Sequence, residues 1–419
     1  MIAIRRPAVT PRTQAFSAGF RRTFESLGNF NFALLWVGML FLMAGTQMQM
    51  LAQGYLAYEI TGSGTILGII NLGIAVPLLT VPLFGGALAD KIDRKLLIQG
   101  AQLVAALLAL VLGVMIDTEV IAWQHLMISS MVQGALFSFM MPARQAIIPQ
   151  LVGQNRLSNA MALNAAGMSA MSMAAPAGAG FLYDWAGAWN LYYVIAALSF
   201  IAVVLTSLIK TPRDTAPKKQ TAMVRDIWDG IAYISQRRIL VVLLIVGLLT
   251  TILAMPFRFI LPVFVVDIYK QQADSMGLLT AIMGFGAMAG AMYVAAIGRK
   301  NRGMLLILSS LLSGIGLLLV AAIPIYSAAT VIMVILGIGD AGRMSLNQAL
   351  LIELSDNEYR GRVMSIFMLN FGFMPLGTFP AGLMIDYLGG QAVVGMMGIG
   401  LVAVTAGIFV TQKQLRGIA

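Results

Sequence analysis

Long apolar runs separated by short polar turns dominate the chain. Twelve runs reach the length that crosses a bilayer, about 20 mostly apolar residues: roughly 31–57, 65–88, 95–116, 121–142, 158–183, 189–209, 239–266, 275–297, 303–323, 326–350, 363–385 and 390–411. A segment in hydrocarbon must satisfy its own backbone hydrogen bonds, so each run predicts a helix. The predicted fold class is an all-α membrane protein with 12 transmembrane helices. Runs nine and ten are split only by Pro324-Ile325-Tyr326.

One polar stretch is longer than the rest, residues 210–238. Its first part is a Pro/Lys linker; from Met223 on, Ile227, Ile231 and Ile234 recur at helical spacing among charges. That predicts an amphipathic helix lying on a membrane face. The expected organisation is a tail over 1–29, a six-helix bundle over 30–209, the linker over 210–238, a second bundle over 239–411 and a tail over 412–419. The halves echo each other. Gly180-Phe-Leu-Tyr-Asp184 recurs as Gly382-Leu-Met-Ile-Asp386, Gln145-Ala-Ile-Ile as Gln348-Ala-Leu-Leu, and the spacing from Gly85 to Arg94-Lys95 as that from Gly290 to Arg299-Lys300, at offsets of 202 to 205. A near-constant offset implies duplicated halves packed about a central axis.

Composition agrees: 59% of residues are hydrophobic and 11% charged, too few charges to cover a water-facing surface. The net charge of +10 has a topological reading. All but three of the 27 Lys and Arg (Arg258, Lys270 and Arg343) fall in the tails or the even-numbered turns. Glu59, Asp117, Glu119, Asp184, Asp267, Asp274 and Asp386 fall in the odd-numbered ones. The positive-inside rule then places both termini in the cytoplasm of a multi-pass inner-membrane protein, and no nucleic-acid partner is expected. The N-terminal arginines precede no short apolar core with a cleavage site, so no cleavable signal is expected. Without cysteine and with one histidine, His125, neither a disulfide nor a multi-histidine metal site is available, and no cofactor is expected.

The turn between runs two and three reads Gly85-Gly86-Ala-Leu-Ala-Asp90-Lys-Ile-Asp93-Arg94-Lys95. It resembles the signature loop of the major facilitator superfamily, with Asp93 where many members have glycine. Gly85 and Gly86 would let a neighbouring helix approach closely. Asp90 would end its helix, able to pair with Arg94 or to accept from another helix N-terminus, a latch favouring one of two rocking states. The other reading is an ordinary basic turn. The second-half echo has Ala295 in place of the aspartate, so any latch is asymmetric. Pro142-Ala-Arg144-Gln-Ala-Ile-Ile-Pro149, followed by Leu157-Ser-Asn159-Ala, and Tyr359-Arg360-Gly361-Arg362-Val-Met-Ser365 are similar to the fourth and tenth turns of enterobactin-exporter and macrolide-efflux relatives. Arg144, Arg360 and Arg362 are the candidates for a cytoplasmic gate. Ala175-Pro176-Ala-Gly178-Ala179-Gly180 is similar to the antiporter motif of exporters, with alanines at two glycine positions; close packing of small residues accounts for the same segment.

Ionisable groups inside a span are costly and face a cavity or a partner. Asp340 and Arg343 lie three apart in run ten, on one helix face with Asn347. Asp340 sits about 21 Å from Tyr326 at roughly 1.5 Å per residue, near the midplane. Either Asp340 takes up and releases a proton with Arg343 tuning it, or the two form a neutral pair with a packing or gating role. Thr46, Gln49 and Gln53 share a face of run one, with Gln47 beside it, and Gln133 lies in run four; they are candidates for cavity contacts or for helix–helix hydrogen bonds. Arg258, between Pro256 and Pro262, either snorkels to the interface or attracts an anionic substrate. His125 opens run four at the outer interface, and the 29 methionines are either adaptable cavity surface or apolar filler.

No GxxxxGK[ST] loop or Ser-His-Asp set points to an enzyme. The resemblance implies two pseudo-symmetric six-helix bundles of the major facilitator fold, rocking about a midplane site, and a monomer. The expected function is secondary export of a small amphipathic drug or siderophore-like molecule by proton antiport. An importer or facilitator on the same fold, and a transport-inactive sensor or assembly subunit, are the alternatives.

Overall fold

The computed structural model describes residues 25–89, 93–210, 223–298 and 301–418. Among these the chain forms helices and turns and no strand. Eleven helical segments are long and apolar enough to cross a membrane. In order, α1 is Phe30–Thr61, α2 Gly64–Ala89, α3 Arg94–Asp117, α4 Trp123–Val152 and α5 Leu157–Ser207. They are followed by α6 Met223–Ser235, α7 Arg238–Ala254, α8 Pro256–Val263, α9 Ala273–Ile297 and α10 Arg302–Ala322. The chain continues with α11 Tyr326–Glu353, α12 Arg360–Gly372, α13 Pro375–Leu388 and α14 Gly390–Thr411.

Each apolar run lies within helix, and the departures have local causes. The 51 residues of α5 would extend about 77 Å, more than twice the hydrocarbon thickness. The backbone breaks at Gly187, whose φ of 84° and ψ of 161° suit a residue without Cβ. Runs five and six are therefore the two arms of α5. Run seven is one apolar stretch in sequence but three pieces in space: α7, α8 starting at Pro256, and a π-helical turn over Phe264–Ile268. Run eleven breaks between α12 and α13, just before Pro375. Proline removes an intrahelical donor, which is why both breaks fall there.

Helix ends are capped from the sequence. Asn29 accepts from the Phe32 amide (3.2 Å), and Gly62 closes α1 in the left-handed region at φ 60°. Asp93 accepts from the Lys95 amide at 2.8 Å and so opens α3.

Within the first half α5 packs against α1 and α3, and α2 against α4; within the second, α11 packs against α9 and α10, and α10 against α14. Two long pairings cross between the halves, α5 with α9 and α2 with α13. Because successive helices reverse direction, the turns bearing Glu59, Asp117, Asp184, Asp267, Asp274 and Asp386 share one end, the acidic end.

The amphipathic helix α6 docks on the opposite end of the second half. Tyr233 stacks on Tyr359 with ring centroids 4.1 Å apart, and Arg237 lies over Tyr233 at 4.6 Å while pairing with Asp356 at 2.5 Å. The Asp356 amide donates to the Tyr233 hydroxyl (2.9 Å). Trp228 and Ile231 stay exposed on its other face, as suits a helix lying on a lipid surface. Substituting Tyr233→Ala removes the stack, worth about 1 kcal/mol beyond burial. Amide hydrogen exchange over 223–235 is expected to rise several-fold while α7 and α11 keep their protection; unchanged exchange in α6 would show that the ring stack does not hold it.

Candidate functional site

A cleft of about 910 Å3, part of it open to solvent, lies between the halves. The first half contributes Gln47, Met50, Gln53 and Gly54 of α1, Leu67, Ile70, Asn71 and Ile74 of α2, Ser130 and Gln133 of α4, and Pro176 of α5. The second half contributes Phe257, Arg258, Leu261 and Pro262 of α8, and Met276, Thr280 and Met283 of α9. The walls are mainly apolar, with amides on one side and one guanidinium on the other.

The amides form a connected set. Gln53 Nε2 donates to the Leu126 carbonyl at 2.9 Å and to the Ser130 hydroxyl, and Gln53 Oε1 accepts from Gln133 Nε2 at 3.0 Å. Gln133 Nε2 also donates to the Ser129 hydroxyl (3.0 Å). Gln49 is buried and donates to Ser129 at 3.3 Å, and the Thr46 hydroxyl returns to the Leu42 carbonyl of its own helix. Of these residues, Gln53 and Gln133 reach the cleft, while Gln49 and Thr46 are taken up by helix contacts. Arg258 lines the cleft and is exposed toward it.

Asp340, Arg343 and Asn347 lie elsewhere, inside the second half. Asp340 Oδ1 accepts from the Ser313 hydroxyl at 2.9 Å and sits 3.5 Å from Arg343 Nη2. Arg343 Nη1 donates to the Thr250 hydroxyl at 2.9 Å, so the charged pair bridges α10, α11 and α7. Among the described residues, three buried polar atoms here have no hydrogen-bond partner: Arg343 Nε, Asn347 Oδ1 and Asn370 Nδ2. Gly247 leaves room for both asparagines; a Cβ there would lie 3.2 Å from Asn370 Nδ2. An unsatisfied buried polar atom costs about 1–3 kcal/mol, so this cluster is poised to gain from a rearrangement or a water.

The acidic end joins the halves. Asp386 of α13 accepts from the Ser63 hydroxyl (2.8 Å) and from the amides of Gly64 (2.6 Å) and Thr65 (3.1 Å), at the N-terminus of α2. Asp184 of α5 accepts from the amides of Ala273 (3.2 Å) and Asp274 (2.9 Å), at the N-terminus of α9. The two aspartates of the repeat thus cap helices of the opposite half, where a carboxylate meets the orphan amides and the positive end of the helix dipole. Tyr58 donates to Asp267 across the same end, and Tyr183 to Glu59 within the first half. Burial pushes the Tyr269 hydroxyl, in the turn before α9, up to about 12, so it stays protonated.

The antiporter-like segment is part of this joint. A Cβ on Gly277 of α9 would lie 2.5 Å from the Pro176 carbonyl oxygen, and one on Gly180 would strike the Ala273 carbonyl. Gly178 faces Met48 of α1. On the other side of the axis, a Cβ on Gly64 would lie 2.8 Å from the Gly382 carbonyl oxygen.

The basic residues of the signature turn make contacts within the first half. Arg94 Nη1 donates to the Ala146 carbonyl at 3.1 Å, and Lys95 Nζ donates to the carbonyls of Ser207 (2.8 Å) and Ile209 (2.6 Å), closing the C-terminus of α5. Gly85 and Gly86 lie in the last turns of α2, and Asp90 is outside the described residues. Arg144 is buried two residues beyond Pro142 in α4. Arg360 donates to the Ile352 carbonyl at 3.0 Å, and Arg362 pairs with Asp229 of α6 at 3.8 Å. His125 Nδ1 accepts from the Ala122 amide (3.0 Å), which caps α4.

Sequence reasoning did not single out Asn71, Phe257, Met276, Thr280 and Met283 as cleft residues, nor Asp267 as a partner of Tyr58. Apolar and neutral residues inside an apolar run carry no marker of which face meets the cavity. The bracket of Pro256 and Pro262 was the available signal for α8.

Comparisons with known proteins agree with this architecture. The chain is 26% identical over 372 residues to macrolide efflux protein A of Streptococcus pyogenes, spanning 85% of this chain and 90% of that protein. It is 24% identical over 361 residues to the staphyloferrin A transporter of Staphylococcus aureus, spanning 84% and 88% respectively. In fold it matches the crystal structure of a mutant of the nucleoside transporter NupG with a TM-score of 0.78 at 13% identity, covering 91% of this chain and 99% of that one. The family model of the Major Facilitator Superfamily matches residues 35–376, and with twin helix pairs joining two halves around one cleft, this multi-pass membrane protein belongs to that superfamily.

Proposed function

We propose that the protein is a secondary exporter of a small amphipathic molecule, drug- or siderophore-like, moved by alternating access and driven by proton antiport across the inner membrane. In this reading twelve helices form the domains expected from the sequence, two bundles of six over 30–209 and 239–411, and both tails and the linker over 210–238 are cytoplasmic. The acidic end then faces outward. The observation that carries the reading is the cleft walled by both halves beside a joint of replaceable contacts: backbone amides capped by carboxylates, and glycines against carbonyls. Such contacts break without leaving a large apolar surface, which suits an interface that opens and closes. The efflux relatives support the outward direction. A monomer suffices, because one chain supplies both walls.

Asp340 is the proposed proton carrier. It lies beside Arg343 inside the second half, where taking up a proton would neutralise one member of the pair. Protonation would release Arg343, whose Nε lacks a partner, to rearrange with Asn347 and Thr250. An entering proton contributes roughly 2.3 kcal/mol per 100 mV of potential. Arg144, Arg360 and Arg362, with the turn around Asp90, are the proposed inner gate.

Three measurements test the reading. In inside-out vesicles, an imposed inward-acid gradient is expected to drive accumulation of exported cargo, abolished by nigericin; uptake only into right-side-out vesicles would make the protein an importer. Asp340→Asn keeps the hydrogen bond from Ser313, and is expected to abolish gradient-driven transport while leaving cargo binding intact. Full coupled rate in that variant would remove Asp340 from the mechanism. Replacing Asp184 and Asp386 by Ala removes two caps worth about 1 kcal/mol each. Labelling of a cysteine at Met283, in the cleft, by an impermeant maleimide from outside is expected to speed up about tenfold or more in the double variant. No change would separate the caps from the outer gate.

A further inference from the structure

We propose that the cargo is an amphipathic anion, an apolar body bearing a carboxylate- or sulfonate-type group, and that Arg258 selects its charge. This rests on the cleft being the cargo site. Among the described residues that line the cleft, Arg258 is the one charged side chain, and none is an aspartate or glutamate. Among the described residues its guanidinium has neither an ion pair nor a hydrogen bond. The acidic groups nearest in kind are already engaged: Asp340 by Ser313 and Arg343, and Asp267 by Tyr58.

The surroundings of Arg258 speak against the two ordinary explanations for a lone arginine in a span. Arg258 lies ten residues before Ile268 and three past the break at Met255. A snorkelling anchor directs its head to the lipid interface, whereas Arg258 lines the cleft between the halves. A structural ion pair would need a carboxylate, and the cleft offers none. A charge kept in such a cleft without a counter-ion marks a substrate pathway.

The neutral groups complete the assignment. Gln53 spends its amide on Leu126, Ser130 and Gln133, and the Gln133 amino group is held by Gln53 and Ser129. The donors left to face a ligand include the five N–H groups of Arg258 and the Gln47 amide, beside the second N–H of Asn71 and the Ser130 hydroxyl, while Gln133 Oε1 remains as an acceptor. Guanidinium geometry matches a carboxylate or sulfonate through two parallel hydrogen bonds. A cationic cargo would meet a like charge and no carboxylate. Leu67, Ile70, Phe257, Leu261 and Met276 provide an apolar wall for the remainder of the molecule.

The test uses the full chain in phosphatidylcholine nanodiscs and three probes of similar apolar size: anilinonaphthalene sulfonate (anionic), phenylnaphthylamine (neutral, the same body without the sulfonate) and tetraphenylphosphonium (cationic). Binding is measured by titration calorimetry against empty nanodiscs. The sulfonate is expected to bind about 10- to 100-fold more tightly than the neutral analogue, the range of a charge-assisted hydrogen-bond pair. Arg258→Gln is expected to erase that difference while leaving the neutral probe unchanged, which also reports that the variant is folded; Arg258→Lys is expected to retain part of the preference. Equal affinity of all three probes, preference for the cation, absence of specific sulfonate binding, or an equal loss for every probe in Arg258→Gln would overturn the proposal. Competition by phosphatidylglycerol at lipid mole fractions would assign Arg258 to a lipid headgroup and overturn it as well. Because equilibrium binding requires neither proton coupling nor a direction, failure of export in vesicles would leave this result standing, and the reverse holds too.

Discussion

Close approach of backbones across the interface between the halves is the constraint on which the rest of the structure depends. Lipid offers no hydrophobic reward for burying one apolar helix against another, so association relies on van der Waals fit and on satisfied polar groups. Gly277 and Gly180 let α5 and α9 touch at their carbonyls, and Gly64 with Gly382 does the same for α2 and α13. The carboxylates of Asp184 and Asp386 then occupy the orphan amides that open α9 and α2. A helix N-terminus without a cap would expose unsatisfied donors, so these contacts hold the end closed and set the angle between the halves. The same α5–α9 pair supplies Pro176, Met276 and Met283 to the wall of the cleft.

The two halves treat polarity differently. In the first half, Gln49, Gln53, Gln133, Ser129 and Ser130 form a neutral hydrogen-bonded set between α1 and α4. In the second half, the corresponding depth holds an ion pair, Asp340 with Arg343, tied to Thr250 and Ser313 and bordered by unsatisfied asparagine atoms. A neutral, satisfied network is stiff. A charged, partly unsatisfied one has alternatives of similar free energy. The duplicated fold therefore carries a neutral, satisfied network on one side and a charged, partly unsatisfied one on the other.

Much of this was legible in the sequence, and the limits have physical causes. Apolar length marked every helical run, since hydropathy alone decides what enters lipid. It did not mark the breaks at Met255 and Phe373, because a kink changes direction without changing hydrophobicity. The repeat around Asp184 and Asp386 was visible as an echo, but its meaning was not: each aspartate caps a helix from the other half, and no local pattern encodes a partner some 90 or 320 residues away. Asp340 and Arg343 were legible as a pair from their spacing. Their lateral position was not, because depth follows from counting residues, whereas facing follows from which neighbour packs on each side. Lys95, part of a turn that resembles a gate, closes the C-terminus of α5, a role that depends on Ser207 and Ile209 coming close in space.

Charge separation along the cleft connects these observations. At the acidic end Asp184 and Asp386 are engaged as caps and Glu59 and Asp267 by tyrosines, and inside the second half Asp340 and Arg343 engage one another. Among the described residues that line the cleft, that leaves Arg258 as the one charge, at the point where both halves meet. An opening of the acidic end would hydrate the guanidinium and weaken its hold on any bound anion, since the attraction of two charges falls as the effective dielectric rises. Closure would dehydrate it and strengthen that hold. In the proposed cycle, the motion that exposes the cleft would thus also change its affinity, without any further moving part: binding would be strongest when the site is sealed and weakest when it faces water, the order that release into an aqueous compartment requires.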